Sequence, residues 1–223
     1  MIDSERSSKL ARMSKSSIKS TNLPGLVAVA LADGLVLFMA LNDWEVPDAL
    51  DTRLLLGRGA SSVIAAAAVL LLAGVLPAAA KDRLVFFRWR HALPGHRAFT
   101  AATLSDPRID VEKLGRNIQI SFPSAPKEQN AAWYRLFKKV ETESSVEHCN
   151  RAFLLLREVA AMSVVAALGC AAWWTAVPKF RFVAEVAAFF FAIQYAVSAL
   201  SSSNYGKRLV TTVLAAHSVK RRL

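Results

Sequence analysis

The segment RWRHALPGHRAF at 88–99 gathers more potential chemistry than any other part of the chain. Arg88, Arg90, His91, His96 and Arg97 fall on either side of a Leu93-Pro94-Gly95 turn. Guanidinium forks bind phosphate or carboxylate through paired hydrogen bonds, and imidazoles add donors near neutral pH. The cluster is the candidate site for an anion: a phospholipid headgroup, a nucleotide or a phosphorylated partner. The plainer reading is a basic loop on a membrane surface, where each cation gains about 1 kcal/mol from anionic lipid.

Asp33 is the second candidate. It lies in PGLVAVALADGLVLFMALN, nine residues from Pro24 and nine from Asn42, which is about 13 Å from either end of a helix. A carboxylate at that depth in a bilayer costs at least about 2.5 kcal/mol and should face protein or water. Gln194 falls near the same depth in the last apolar stretch, and Ser198 continues its helical face toward Ser201 and Ser202. An Asp33–Gln194 pair is expected. It is either a proton or cation site lining a gated pore, or a hydrogen bond holding two helices beside the small Gly34.

Catalytic sets are scarce. His148 adjoins Cys149, but adjacent helical residues point in different directions. No group of three or four ligands has the spacing of a zinc site, and neither a phosphate-cradling glycine loop nor a GxSxG elbow occurs. No catalytic residue, metal or cofactor is expected, and the protein is read as a non-enzyme. Cys149 and Cys170 are expected to be free thiols.

The elements that position these residues are four apolar stretches at 24–42, 59–80, 159–177 and 182–201. A helix needs about 20 residues to cross a hydrocarbon core about 30 Å thick. The chain is 54% hydrophobic yet carries a net charge of +11, and the basic residues avoid these stretches. Five of the 28 Lys and Arg lie in 1–23, fourteen in 81–157 and five in 202–223. Basic segments stay in the cytoplasm, so both termini and the central loop belong there. Met1 opens a polar segment with no short apolar run and cleavage site before it, so no cleaved secretory signal is expected. Trp44, Trp173 and Trp174 suit an outer aromatic belt, and Phe86, Phe87 and Trp89 an inner one. Arg58 and Glu185 are at similar depth near the outer face and could pair.

The fold class expected is an all-α membrane protein: four transmembrane helices, with a mostly helical cytoplasmic module between spans two and three. Its parts are a basic segment 1–23, a hairpin 24–80, the module 81–157, a second hairpin 158–201 and a basic amphipathic tail 202–223. The second span is expected to continue as helix to Leu93. A short helix is expected at 107–115 and a weak strand at 117–122. Trp133, Leu136, Phe137 and Val140 make a stripe at helical spacing, either packed on the long helices or presented as a docking face for a partner. Ser144-Ser145-Val146-Glu147 reads as a capping box opening a helix of about thirty residues into the third span. The tail reads as a helix on the inner leaflet, with straight continuation of the fourth span as the competing picture. Ala184, Ala188, Ala192 and Ala196 form a small-residue face for helix packing or oligomerisation.

Function then rests on architecture. The leading expectation is a non-enzymatic bacterial inner-membrane scaffold, sensor or effector, homo-oligomeric, touching anionic lipid and a cytosolic protein partner through the basic loop. Small proteins of this layout serve in bacterial stress and phage-defence systems, an analogy rather than a deduction. The alternative is an ion channel or membrane-permeabilising protein using Asp33 and the Gln194 stripe. Contact with nucleic acid or nucleotide is a lesser reading of the fourteen loop cations, since eight acids accompany them.

Overall fold

The computed structural model describes residues 2–41, 52–118, 122–176 and 181–219, the side chains of 2–20, 41, 52–55 and 58 excepted. Eight α-helices follow in order: α1 (Ile2–Leu41), α2 (Thr52–Val75), α3 (Ala78–Phe86), α4 (Ala101–Leu104), α5 (Val111–Ile118), α6 (Pro126–Val140), α7 (Ser144–Ala176) and α8 (Arg181–Val219), with a 3-10 turn at Pro94–Arg97. Among the described residues there is no strand. The strand expected at 117–122 begins instead as helix, because Leu114 and Ile118 are four apart and turn one face of α5 to a core. Residues 119–121 lie outside the described residues. Three helices are long and apolar enough to cross a membrane, Thr21–Ala40 within α1, α7 and α8, or four if the bent pair Gly59–Val75 with Ala78–Phe86 counts as one span.

The unbroken helix expected from the second span to Leu93 is corrected. α2 ends at Val75, and α3 opens only after Pro77, whose backbone is extended at φ −63° and ψ 147°. Proline lacks the N–H that would continue the ladder and pushes the residue before it out of helical conformation. A second stop follows at Phe87, in the left-handed region at φ 51°. RWRHAL is therefore loop, not helix.

The chain forms two units, Met1–Leu76 with Glu158–Ala196 and Pro77–Arg157 with Val197–Leu223. In the first, small side chains fill the interior. Ala30, Ala73, Ala161 and Met162 form one cluster, and Ala166, Cys170, Ala187 and Phe191 another, with Leu37 and Val69 packed on the latter. At Gly34 an added Cβ would stand 3.4 Å from Ala66 Cβ, so α1 and α2 are already at contact distance. Large side chains face outward: Leu31 is 63% exposed, Ile64 68%, Leu71 71% and Phe189 69%. Small inside and large outside is how helices associate in lipid, where burying a leucine gains nothing. The alanine stripe is only half used. Ala184 is buried and Ala188 packs on the Phe191 cluster, but Ala192 and Ala196 are exposed. Each step of four overshoots a helical turn by about 40°, so the stripe rotates off the core face.

The second unit has a conventional core. Phe99, Ile109, Leu114, Leu136, Phe137, Val140, Val146 and Cys149 bury themselves against Leu209, Val210, Val213 and Leu214 of α8. Trp133 packs on this cluster while Leu136, Phe137 and Val140 belong to it. The apolar stripe of α6 is thus consumed within the chain, packed on a long helix as the first of its two expected roles has it, and not left as a docking face. The tail is corrected: α8 runs on to Val219, and its apolar face enters this core rather than a leaflet. Phe86 is core too, its ring tilted against Phe153 at 5.9 Å, while Phe87 and Trp89 remain exposed. Cys149 and Cys170 are free and buried.

Several polar side chains inside the second unit have partners. Gln129 accepts the Phe99 N–H at 3.1 Å and donates to the Ser124 carbonyl at 3.1 Å. His217 Nε2–H donates to the Leu136 carbonyl at 3.0 Å, and Ser202 to the Phe153 carbonyl at 3.0 Å. Arg157 of α7 donates to Asp82 of α3 at 3.0 Å, the side chains 15% and 10% exposed. Breaking such a pair from one side strands a buried charge, at a cost of about 3–5 kcal/mol. Asp82→Leu should lose that much in denaturant unfolding of the detergent-solubilised protein, and adding Arg157→Met should restore most of it. Equal loss in the double variant would mean the charges matter for another reason.

Candidate functional site

The structure brings two of the five predicted anion-site residues together. Arg88 and Arg97 line one cavity of about 500 Å³ in the second unit, with Thr100, Thr103, Ser203, Lys207 and Thr211. α3 delivers Arg88 just beyond its left-handed stop, and the 3-10 turn delivers Arg97. Lys207, Ser203 and Thr211 are four apart along α8, on one face. The sequence reading missed these three because about a hundred residues separate them from the loop. A basic residue early in the tail was their only signal.

Arg97 is positioned by the loop it supports. It donates to the His91 carbonyl at 3.2 Å, and its own carbonyl accepts from the Thr103 hydroxyl at 2.7 Å and the Thr100 hydroxyl at 3.0 Å. Burial, and then the neighbouring cations led by Arg88, push its guanidinium below the ordinary value. Asp106 is engaged elsewhere. Arg108 grips it at 2.9 and 2.6 Å and also donates to Thr211 at 2.7 Å. The hydrogen bond from Arg108 holds the Asp106 carboxyl far below the usual carboxylate range. Arg90, His91 and His96 do not line the cavity. His91 and His96 face each other, ring centroids 4.8 Å apart, and His96 Nδ1–H donates to the Leu93 carbonyl at 3.2 Å.

In the first unit, Asp33 and Gln194 meet as expected. Gln194 Nε2 donates to Asp33 Oδ1 at 3.0 Å, and Asp33 is 3% exposed. Ser198, one turn beyond Gln194, is buried. The clefts of about 380 and 330 Å³ in this unit have mostly apolar walls that include Ser62, and neither contains Asp33 or Gln194. Glu185 accepts from Trp174 Nε1 at 2.8 Å, and Arg181 lies 5.2 Å above the same indole. The side chain of Arg58, its expected partner, lies outside the described residues, as does Trp44.

Comparison with models of known families, with curated proteins and with solved structures finds no match to the chain. The functional reading rests on this geometry.

His96 gives the site a pH signature. Burial, chiefly, and the nearby His91 and Arg97 lower its ring pKa from 6.5. A folded value below the unfolded one favours the neutral ring in the native state. The stability it contributes is whole above about pH 6.5 and is lost as pH falls through the folded value. In an NMR titration of the solubilised protein the His96 midpoint should lie below 6.5. A midpoint above it contradicts the packing of this turn.

Proposed function

We propose that the chain is a non-enzymatic, multi-pass membrane protein of the bacterial inner membrane: a four-span bundle, in more than one copy, carrying a helical module on the cytoplasmic side as sensor or effector scaffold. The observation that supports this reading is the continuity of α7 and α8. Each is one unbroken helix with residues in both units, so the apolar segments lead into the module through helical chain. A change in the bundle then has a mechanical route to the module. The basic residues at both ends and in the central loop orient the module inward. A setting in stress or phage defence rests on the likeness of layout alone.

With the Trp133 stripe in the core, a cytosolic partner would meet the exposed basic side of α6 at Arg135 and Lys139. Reporters fused to the two ends should both read cytoplasmic, and the protein should resist alkaline extraction from membranes. Cross-linking in intact cells should recover one cytosolic protein with the wild type and lose it with Arg135→Glu plus Lys139→Glu. Ends on opposite sides would sink the topology, and no partner would sink the scaffold.

One observation favours a second reading, a proton- or cation-conducting protein: Oδ2 of the buried Asp33 has no hydrogen-bond partner among the described residues. Asp33→Asn keeps the acceptor for Gln194 and removes the charge. On this reading, purified protein in liposomes passes protons or cations and the variant changes the flux by about tenfold or more. On the scaffold reading neither protein conducts.

A further inference from the structure

Arg88 and Lys207 have no role in holding the fold. Among the described residues neither has a hydrogen bond, an ion pair or a ring contact, and both are exposed at the mouth of the same cavity. Arg97 lines the same cavity, fixed through the His91 carbonyl. No acidic side chain lines the space. The nearby acids are already engaged, Asp106 by Arg108 and Asp82 by Arg157. Three cations held around one cavity repel one another unless an anion lies between them.

The remaining walls narrow the anion's chemistry. Of the hydroxyls that edge the cavity, Thr103 already donates to the Arg97 carbonyl and Thr211 to the Arg208 carbonyl, which leaves Ser203 as the hydroxyl donor beside three cations, a set that suits an oxygen-rich group such as phosphate. Phe86, Phe87 and Leu200 supply an apolar wall beside the cations. Leu200 closes the last apolar stretch of α8, and Lys207 stands two turns further on. Phe87, exposed, adopts a left-handed backbone that its side chain disfavours. An acyl-linked or ring-linked phosphate would set its charge on the cations and its body on this wall.

We propose that the cavity between Arg88, Arg97 and Lys207 binds a phosphate group carried on an apolar body, with Ser203 donating to its oxygens. Two sources share that chemistry: the headgroup of an anionic glycerophospholipid and a soluble nucleotide. This assignment does not depend on the scaffold reading, since the second unit alone provides it.

The test uses the full-length protein in mixed micelles, followed by thermal unfolding and native mass spectrometry. Phosphatidylglycerol, phosphatidylcholine, ADP and inorganic phosphate are added in turn. Arg88→Gln and Lys207→Gln are the informative variants, because neither removes a contact that folds the protein. Arg90→Gln is the control, an equal charge change in the same loop but outside the cavity. Stabilisation by phosphatidylglycerol over phosphatidylcholine, weakened about tenfold or more in each informative variant and kept in the control, assigns a lipid phosphate. The same pattern with ADP assigns a soluble one, and inorganic phosphate then shows how much the apolar wall adds. Binding that falls equally in Arg90→Gln reflects diffuse charge and overturns the site. So does the absence of any ligand that separates wild type from the two variants.

Discussion

One face of one helix organises the second unit. Leu209, Val210, Val213 and Leu214 of α8 are buried together against residues drawn from the 3-10 region, α5, α6 and the start of α7. Each such side chain removed from water is worth about 1.5–3 kcal/mol, and without this ridge the short helices α4 and α5 would have nothing to pack on. Helices of so few residues do not persist alone. Burying that face also fixes the rotation of α8, and with it the direction of the residues on the adjoining face. Ser203, Lys207 and Thr211 reach the cavity from the face beside that ridge, with Val210 lining both. Hydrophobic burial here acts as the positioning device for the polar groups.

The two units solve packing differently, and the difference follows from composition. In the first, alanine and glycine lie between helices while leucine, isoleucine and phenylalanine face out. Within it, α1 and α2 approach closely at Gly34 and Ala66, and Gln194 bonds Asp33. In the second, large residues are inside, and the buried polar groups of Gln129, His217 and Ser202 each reach a backbone partner. A buried amide left unmatched costs about 1–3 kcal/mol, so these bonds tell the correct register of α6 and α8 from shifted ones.

Much of this was legible in the order of residues. Long apolar runs foretold helices, and matching depth foretold that Asp33 would find Gln194. The capping residues at 144–147 marked the start of α7. Several readings left the outcome open or went astray, for identifiable reasons. Pro77 lies inside the second apolar run, and hydropathy, which ignores the missing N–H, hid the break. The stripe on α6 and the face of α8 after Tyr205 are amphipathic, a pattern that states only that a partner exists. Membrane surface, second protein and the rest of the chain satisfy it equally. The cavity was half visible: Arg88 and Arg97 are near in sequence, but Lys207 joins them only through tertiary packing.

Gly206 carries a consequence of its own. Its backbone is ordinary, for no glycine among the described residues has positive φ, so conformational freedom is not what the position needs. It needs emptiness. A Cβ there would stand 2.7 Å from Phe86 Cζ and 3.3 Å from Phe153 Cδ2, rings that are themselves packed together. Lys207, the next residue, would be displaced by any relief of that clash. Divergence of this chain is thereby channelled: the charge at 207 can be exchanged by single steps while its neighbour stays frozen, and lineages could retune the cavity's affinity without ever trading away the hydrogen atom that makes room for it.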